Sequence, residues 1–145
     1  MRTRTLLVLA VVCGLVILVA GGIQLLRVSD GAATATASDL AIGDSATAGD
    51  MRVTVEAAEE SDGTMRVRVR IAGVDDPQGR DSFRLVVPGA ALVALPPQQS
   101  GPGSCATMAV DGQQCMLVFA TADVEGSARV LLLRRGEDQR RWNLR

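Results

Sequence analysis

Two sets of arginines, a cluster of aspartates and a pair of cysteines are the residues in this 145-residue chain whose types and spacing could do chemistry. Arg134, Arg135, Arg140, Arg141 and Arg145 crowd the last dozen positions, and Arg66, Arg68 and Arg70 alternate along residues 64–71. Guanidinium groups bind phosphate and carboxylate bidentately. If both sets share a face, they could grip the anionic groups of an envelope polymer, with Arg134, Arg135, Arg140 and Arg141 as the anion-binding set. The other reading pairs them with Glu56, Asp62, Glu137 and Asp138, or leaves them solvated along strand edges. Asp75, Asp76 and Asp81 surround Pro77-Gln78-Gly79, and clustered loop carboxylates can hold calcium. Their spacing does not match the D-x-D-x-D-G loop, and Asp with Gly and Pro is ordinary turn composition.

The composition excludes more than it offers. All fifteen basic residues are Arg, and there is no His and no Tyr. The commonest general base and metal ligand is therefore missing. Ser82, Ser100 and Ser104 have no His partner to activate them as nucleophiles. No cofactor, metal site or enzymatic activity is expected. Excluding Arg2, Arg4 and Arg27 leaves 12 Arg against 16 acids. A mildly acidic domain without Lys, and with only Phe83, Phe119 and Trp142 as aromatics, is a poor nucleic-acid binder.

The elements that must position these residues begin with residues 6–26, LLVLAVVCGLVILVAGGIQLL, which carry no charge. At 1.5 Å per residue they span roughly 31 Å, matching a hydrocarbon core of about 30 Å. A cleaved signal peptide is the alternative, with Ala20-Gly21-Gly22 as its cleavage site. The apolar run resumes with Ile23, Leu25 and Leu26, which favours an uncleaved transmembrane helix. Arg2 and Arg4 precede it and only Arg27 follows closely. Residues 1–5 are thus expected in the cytoplasm and the C-terminal domain outside it. Residues 27–39, small and polar, read as a flexible tether.

From residue 40 to residue 145 the hydrophobic period is two. Residues 51–57 place Val53, Val55 and Ala57 on one face. Residues 64–71 place Met65, Val67, Val69 and Ile71 inward and three arginines outward. The intervening residues 59–63 read as a turn whose Asp62-Gly63 suits a hairpin. Phe83, Leu85 and Val87 alternate, as do Cys115, Leu117 and Phe119. Residues 91–95 form a short apolar run. Residues 128–133 read as a central strand, and residues 140–144 as a closing strand with Trp142 and Leu144 inward. Residues 96–104, PPQQSGPGS, cannot be a central strand. Seven or eight short strands separated by turn signals predict an all-β fold, an antiparallel immunoglobulin-like sandwich preceded by one transmembrane α-helix.

Cys105 and Cys115 are the cysteines outside the apolar segment, and in an exported domain they are expected to form a disulfide. Closing that 11-residue loop stabilises the domain by roughly 3 kcal/mol on the chain-entropy model. A two-residue hairpin centred on Asp111-Gly112 would instead pair Cys105 with Val118. The bond therefore requires a wider loop near Val110 or a Cys105 lying outside the ladder.

Ala41-Ile42-Gly43-Asp44, Met51-Arg52-Val53-Thr54-Val55, the alternating residues 67–71, Phe83-Arg84-Leu85, Cys115-Met116-Leu117-Val118-Phe119 and Trp142-Asn143-Leu144 together carry a resemblance. Residues 40–144 resemble the telokin-like, immunoglobulin-like domains of bacterial lipoproteins and membrane-anchored exported proteins. The quoted residues are strand starts, core positions and a closing Trp, so the resemblance implies a fold and an address, and no catalytic residue carries over.

The expected function is that of a non-catalytic extracytoplasmic binding module anchored in the cell membrane. Its partners would be the lipid bilayer and an envelope protein or polymer, with no nucleic acid. The alternative is an accessory subunit of a membrane complex that acts through its transmembrane helix. Exchanging residues 6–26 for an unrelated anchor separates the two, because only the surface module would keep its function.

Overall fold

A computed structural model describes residues 12–14 and 39–145. The chain divides into two units, Met1–Ala37 and Ser38–Arg145. Residues 12–14 are helical. The rest of the expected transmembrane helix, residues 6–26, and the tether before Asp39 lie outside the described residues. No helix among the described residues is long and apolar enough to cross a membrane.

The second unit contains eight strands: β1 (Ser45–Ala48), β2 (Met51–Ser61), β3 (Thr64–Ala72), β4 (Phe83–Val87), β5 (Ala90–Val93), β6 (Gln113–Ala120), β7 (Val130–Arg135) and β8 (Asp138–Asn143). A short helix, α1 (Pro97–Ser100), follows β5, and a 3₁₀ turn, Gly79–Ser82, leads into β4. The strands form two four-stranded sheets, ordered β1-β2-β3-β6 and β5-β4-β7-β8, and every strand pair is antiparallel. The chain crosses between sheets after β3, β5 and β6. The pairs β3–β6 and β4–β7 therefore interlock, which is the Greek-key connectivity of immunoglobulin-like sandwiches.

Alternation decides which side chains fill the space between the sheets. Met65, Val67, Val69 and Ile71 of β3 are buried, as are Phe83, Leu85 and Val87 of β4. Leu117 and Phe119 face Leu131, Leu133 and Trp142 across this core, all at 1% exposure or less. Trp142 buries its ring, and its Nε1–H donates to the Asp44 carbonyl at 3.0 Å. That bond satisfies the one polar group the indole brings inside.

Three local features differ from the sequence reading. The strand β2 continues to Ser61, and the turn shrinks to Asp62-Gly63, both at positive φ (50° and 68°). These angles make a type I′ turn, whose twist matches that of the strands it joins. Second, the register slips between Val55 and Ala57, so that Glu56 is an extra, bulged residue. Ala57, expected inward, consequently stands opposite Arg68, and Ala58 takes the inner position opposite Val67. Third, the apolar run at residues 91–95 forms a strand over Ala90–Val93, at the sheet edge and largely exposed, with Val93 60% exposed.

Irregular segments cap two of the sheet edges. Leu40 pairs with β8: its N–H donates to the Arg141 carbonyl and its carbonyl accepts from Asn143 N–H, both at 2.8 Å. Beside β6, Cys105 N–H donates to the Met116 carbonyl at 3.0 Å, and Met116 N–H donates to Gly103 O at 2.9 Å. Cys105 thus lies outside the antiparallel ladder, in a segment running parallel to β6. From there it bonds Cys115, with the two Cα atoms 5.0 Å apart. This placement resolves the conflict between the disulfide and a hairpin centred on Asp111-Gly112.

Candidate interaction surface

The four arginines singled out near the C-terminus do not converge. In the β7–β8 register Leu131 opposes Trp142, and Leu133 opposes Arg140. Arg135 and Arg140 accordingly share the inward phase of the buried leucines, at the end where the hairpin turns through Gly136-Glu137. Arg134 and Arg141 share the outward phase of half-buried Leu132. Arg135 is fully engaged. Its Nε and Nη2 donate to Asp50 Oδ1 at 3.2 and 2.8 Å, and its Nη1 donates to Asp76 Oδ2 at 2.7 Å. Asp76 and then Asp50 raise the Arg135 pKa above its ordinary value, and the same bond lowers that of Asp76.

Asp76 is a structural residue. It accepts the Gln78 N–H at 2.8 Å, and its main chain exchanges two hydrogen bonds with Met108. Asp81 is exposed and lies 3.5 Å from Arg80, while Asp75 is simply exposed. Among the described residues no group of three His, Cys, Asp or Glu is placed to hold a metal ion.

Arg66, Arg68 and Arg70 lie on the outer face of the other sheet. Arg66 Nη1 donates to Ser61 Oγ at 3.2 Å, and Arg70 Nε donates to Glu56 Oε1 at 2.9 Å. Gln114 also donates to Glu56, and Gln114 followed by Arg70 lowers the Glu56 pKa. The condition for a joint anion grip, both arginine sets on one face, is therefore not met.

What the second sheet presents to solvent is a mixed patch that the sequence reading missed. The register aligns Val93, Arg84, Leu132 and Arg141 in one row across β5, β4, β7 and β8. The next row is Ala91, Val86, Val130 and Asn143, and Arg134 with Gln139 begins a third. Val86, Val130 and Leu132 are half-buried and Val93 is exposed. An apolar centre thus sits on a sheet's solvent face, where polar residues usually alternate outward. Three arginines frame it, and no carboxylate occupies any of these register positions. Arg84 is steadied by bonds from Nη1 to the Asp81 and Phe83 carbonyls at 2.8 and 2.7 Å. Arg141 Nε lies 3.8 Å from Asp39 Oδ1, an ionic contact without a hydrogen bond. The signal lies in VLLL at residues 130–133: the run belongs to a central strand, as its composition predicts, and also leaves Val130 and Leu132 on the solvent face.

This arrangement defines a class, an immunoglobulin-like β-sandwich whose second sheet carries an unusual outer face. No protein-family model matches the chain, and no curated protein matches it in sequence. Among solved structures it is similar to that of a secreted protein from Mycobacterium tuberculosis, MPT63. The TM-score is 0.50 at 17% sequence identity, over 74% of this chain and 99% of that one. The likeness is one of fold.

Proposed function

We propose that this protein is a non-catalytic binding module of the cell envelope. Residues 6–26 hold it in the membrane as an uncleaved anchor, and residues 40–145 stand outside the cytoplasm as a telokin-like domain. Its working surface is the outer face of the second sheet, and its partner is another envelope protein. The observation that carries this reading is the apolar cluster of Val86, Val130 and Leu132, bordered by Arg84, Arg134 and Arg141, with Val93 beyond Arg84 on the edge strand. Apolar side chains framed by Arg are the composition of interface cores. The secretion of MPT63, a protein of similar fold, accords with an exported address.

Photo-crosslinking in intact cells tests the reading. A photoreactive residue at Val130 should trap a discrete protein adduct, and one at Arg68 on the opposite sheet should not. Equal adducts at both positions, or none at Val130, would overturn it. Replacing residues 6–26 with an unrelated anchor should leave the Val130 adduct intact; its loss would point instead to a role for the membrane segment.

A further inference from the structure

The strand at the border of this face carries a further inference, which rests on the functional reading above and specifies how the partner binds. Among the described residues the main chain of β5 is paired on one side only, with β4. The β4–β5 hairpin closes on Val87 and Ala90 through Pro88-Gly89, with Gly89 at φ 77°. A two-residue loop closes on a hydrogen-bonded pair, and bonded and non-bonded pairs then alternate. Ala91 and Val93 are consequently the residues whose N–H and C=O groups point away from β4, toward the open edge. Their side chains lie on the outer face of the sheet, in the rows of Val86 and Arg84 respectively.

Natural sandwiches guard such edges with charge, Pro, a bulge or a covering segment. This chain covers β8 with Leu40 and β6 with residues 103–105. The sequence Ala90-Ala91-Leu92-Val93 has none of these devices: it is uncharged, and three of its four residues are exposed. A free ladder edge accepts an extended strand; half-buried Leu92, opposite buried Leu85, favours apolar residues on that strand's inner side, and Arg84 in the row of Val93 favours a carboxylate on its outer side. A second copy of this chain supplies no such carboxylate. A symmetric β5–β5 pairing centred on Leu92 would set Val93 against the partner's Ala91, so the row of Arg84 would continue into the partner's Val86.

The geometry points to β5 as a β-augmentation site that receives an extended peptide segment of a partner protein. In that segment apolar residues alternate with acidic ones, and a carboxylate meets Arg84.

The test uses the full-length chain in mild detergent with two synthetic nonapeptide probes, alternating Val-Glu and alternating Val-Lys. The Val-Glu peptide should bind at least tenfold more tightly by fluorescence anisotropy, and should slow hydrogen exchange at residues 90–93. The variant Val93→Pro removes an outward N–H without breaking the β4 ladder, so it should fold and lose both signals. Arg84→Glu should reverse the charge preference. Two results would sink strand addition while leaving the face itself in use: binding unchanged by Val93→Pro but lost in Leu132→Glu, or binding without any Glu-over-Lys preference. Dimers in sedimentation that Val93→Pro abolishes, with no peptide binding, would also overturn the proposal by making a second copy the occupant. Failure of both peptides to bind the wild-type chain at any concentration would overturn it too. An adduct at Val130 in the crosslinking experiment would then show that the broader reading survives.

Discussion

Glu60 meets Arg129 because one extra residue, Glu56, sits in β2. Beyond the bulge the alternation shifts by one, which turns Ala58 and Glu60 toward the inner face, opposite Val67 and Met65. There Arg129, only 4% exposed, donates to both Glu60 oxygens, with Nη2 at 2.9 Å from Oε1 and Nε at 3.1 Å from Oε2. Its Nη1 donates to the carbonyls of Gly126 and Ala128, both at 3.0 Å. Removing one partner of such a pair strands a charge away from water. Glu60→Ala should therefore cost about 2 kcal/mol, below the ~3–5 of a fully buried pair because the carboxylate keeps some water contact. A Tm lower by roughly 10 °C in a thermal melt would register that loss. Arg129 lowers the pKa of Glu60 from its ordinary 4.5, and Arg135 lowers that of Asp76 from 3.8. A carboxylate whose pKa is depressed by folding stabilises the folded state above its unfolded pKa. That contribution disappears as pH falls through the folded value. Denaturant midpoints should consequently decline from about pH 5 downward, and less steeply in Glu60→Gln than in the wild-type chain.

At the scale of elements, sequence legibility followed water exposure. In β3 residues 65–71 alternate a buried apolar residue with an exposed Arg, so its two faces could be told apart from the sequence. In β4 and β6 the same alternation placed Phe83, Leu85, Leu117 and Phe119 correctly. The bulge at Glu56 left no such signature, because Ala57 and Ala58 are equally small and either could have faced inward. Neighbours hid the character of β5 and β7: an apolar strand reads alike whether its second face is covered or bare. Deleting Glu56 tests the parity argument. It should remove the bulge yet leave Ala58 and Glu60 inward, opposite Val67 and Met65, so that Arg129 keeps its partner. The expected result is a smaller loss of stability than that of Glu60→Ala, read from the same melts, because only the exposed bonds of Glu56 to Arg70 and Gln114 disappear. The edge segments were illegible for a different reason. Residues 103–105 and Leu40 take their extended shape from the strands they cap, not from any periodicity of their own. The disulfide fastens one of them, so Cys105→Ala with Cys115→Ala should lower stability by about 3 kcal/mol. It should also speed hydrogen exchange along that side of β6, since the disulfide ties Cys105 covalently to the strand it caps.

For the whole molecule, the arginines are distributed across surfaces that no single sequence window connects. Arg134 and Arg135 are neighbours in the chain, yet one stands in solvent while the other ties Asp50 and Asp76 together at the sandwich end. Clustering in sequence was therefore a poor guide to clustering in space, and the surface patch became visible only once the strand order β5-β4-β7-β8 was known. The proposed address yields its own test. Protease added to intact spheroplasts should degrade residues 40–145, and carbonate extraction should leave the chain in the membrane. The pairing of Leu40 with Trp142 has a consequence in time. A ribosome or a secretion channel delivers a chain in order, from N-terminus to C-terminus. The first residue of this domain to enter a ladder must then wait about a hundred residues for its counterpart. Until then, the half-made sandwich of hydrophobic strands is open along one flank, and the cell's chaperones have that interval in which to shield it.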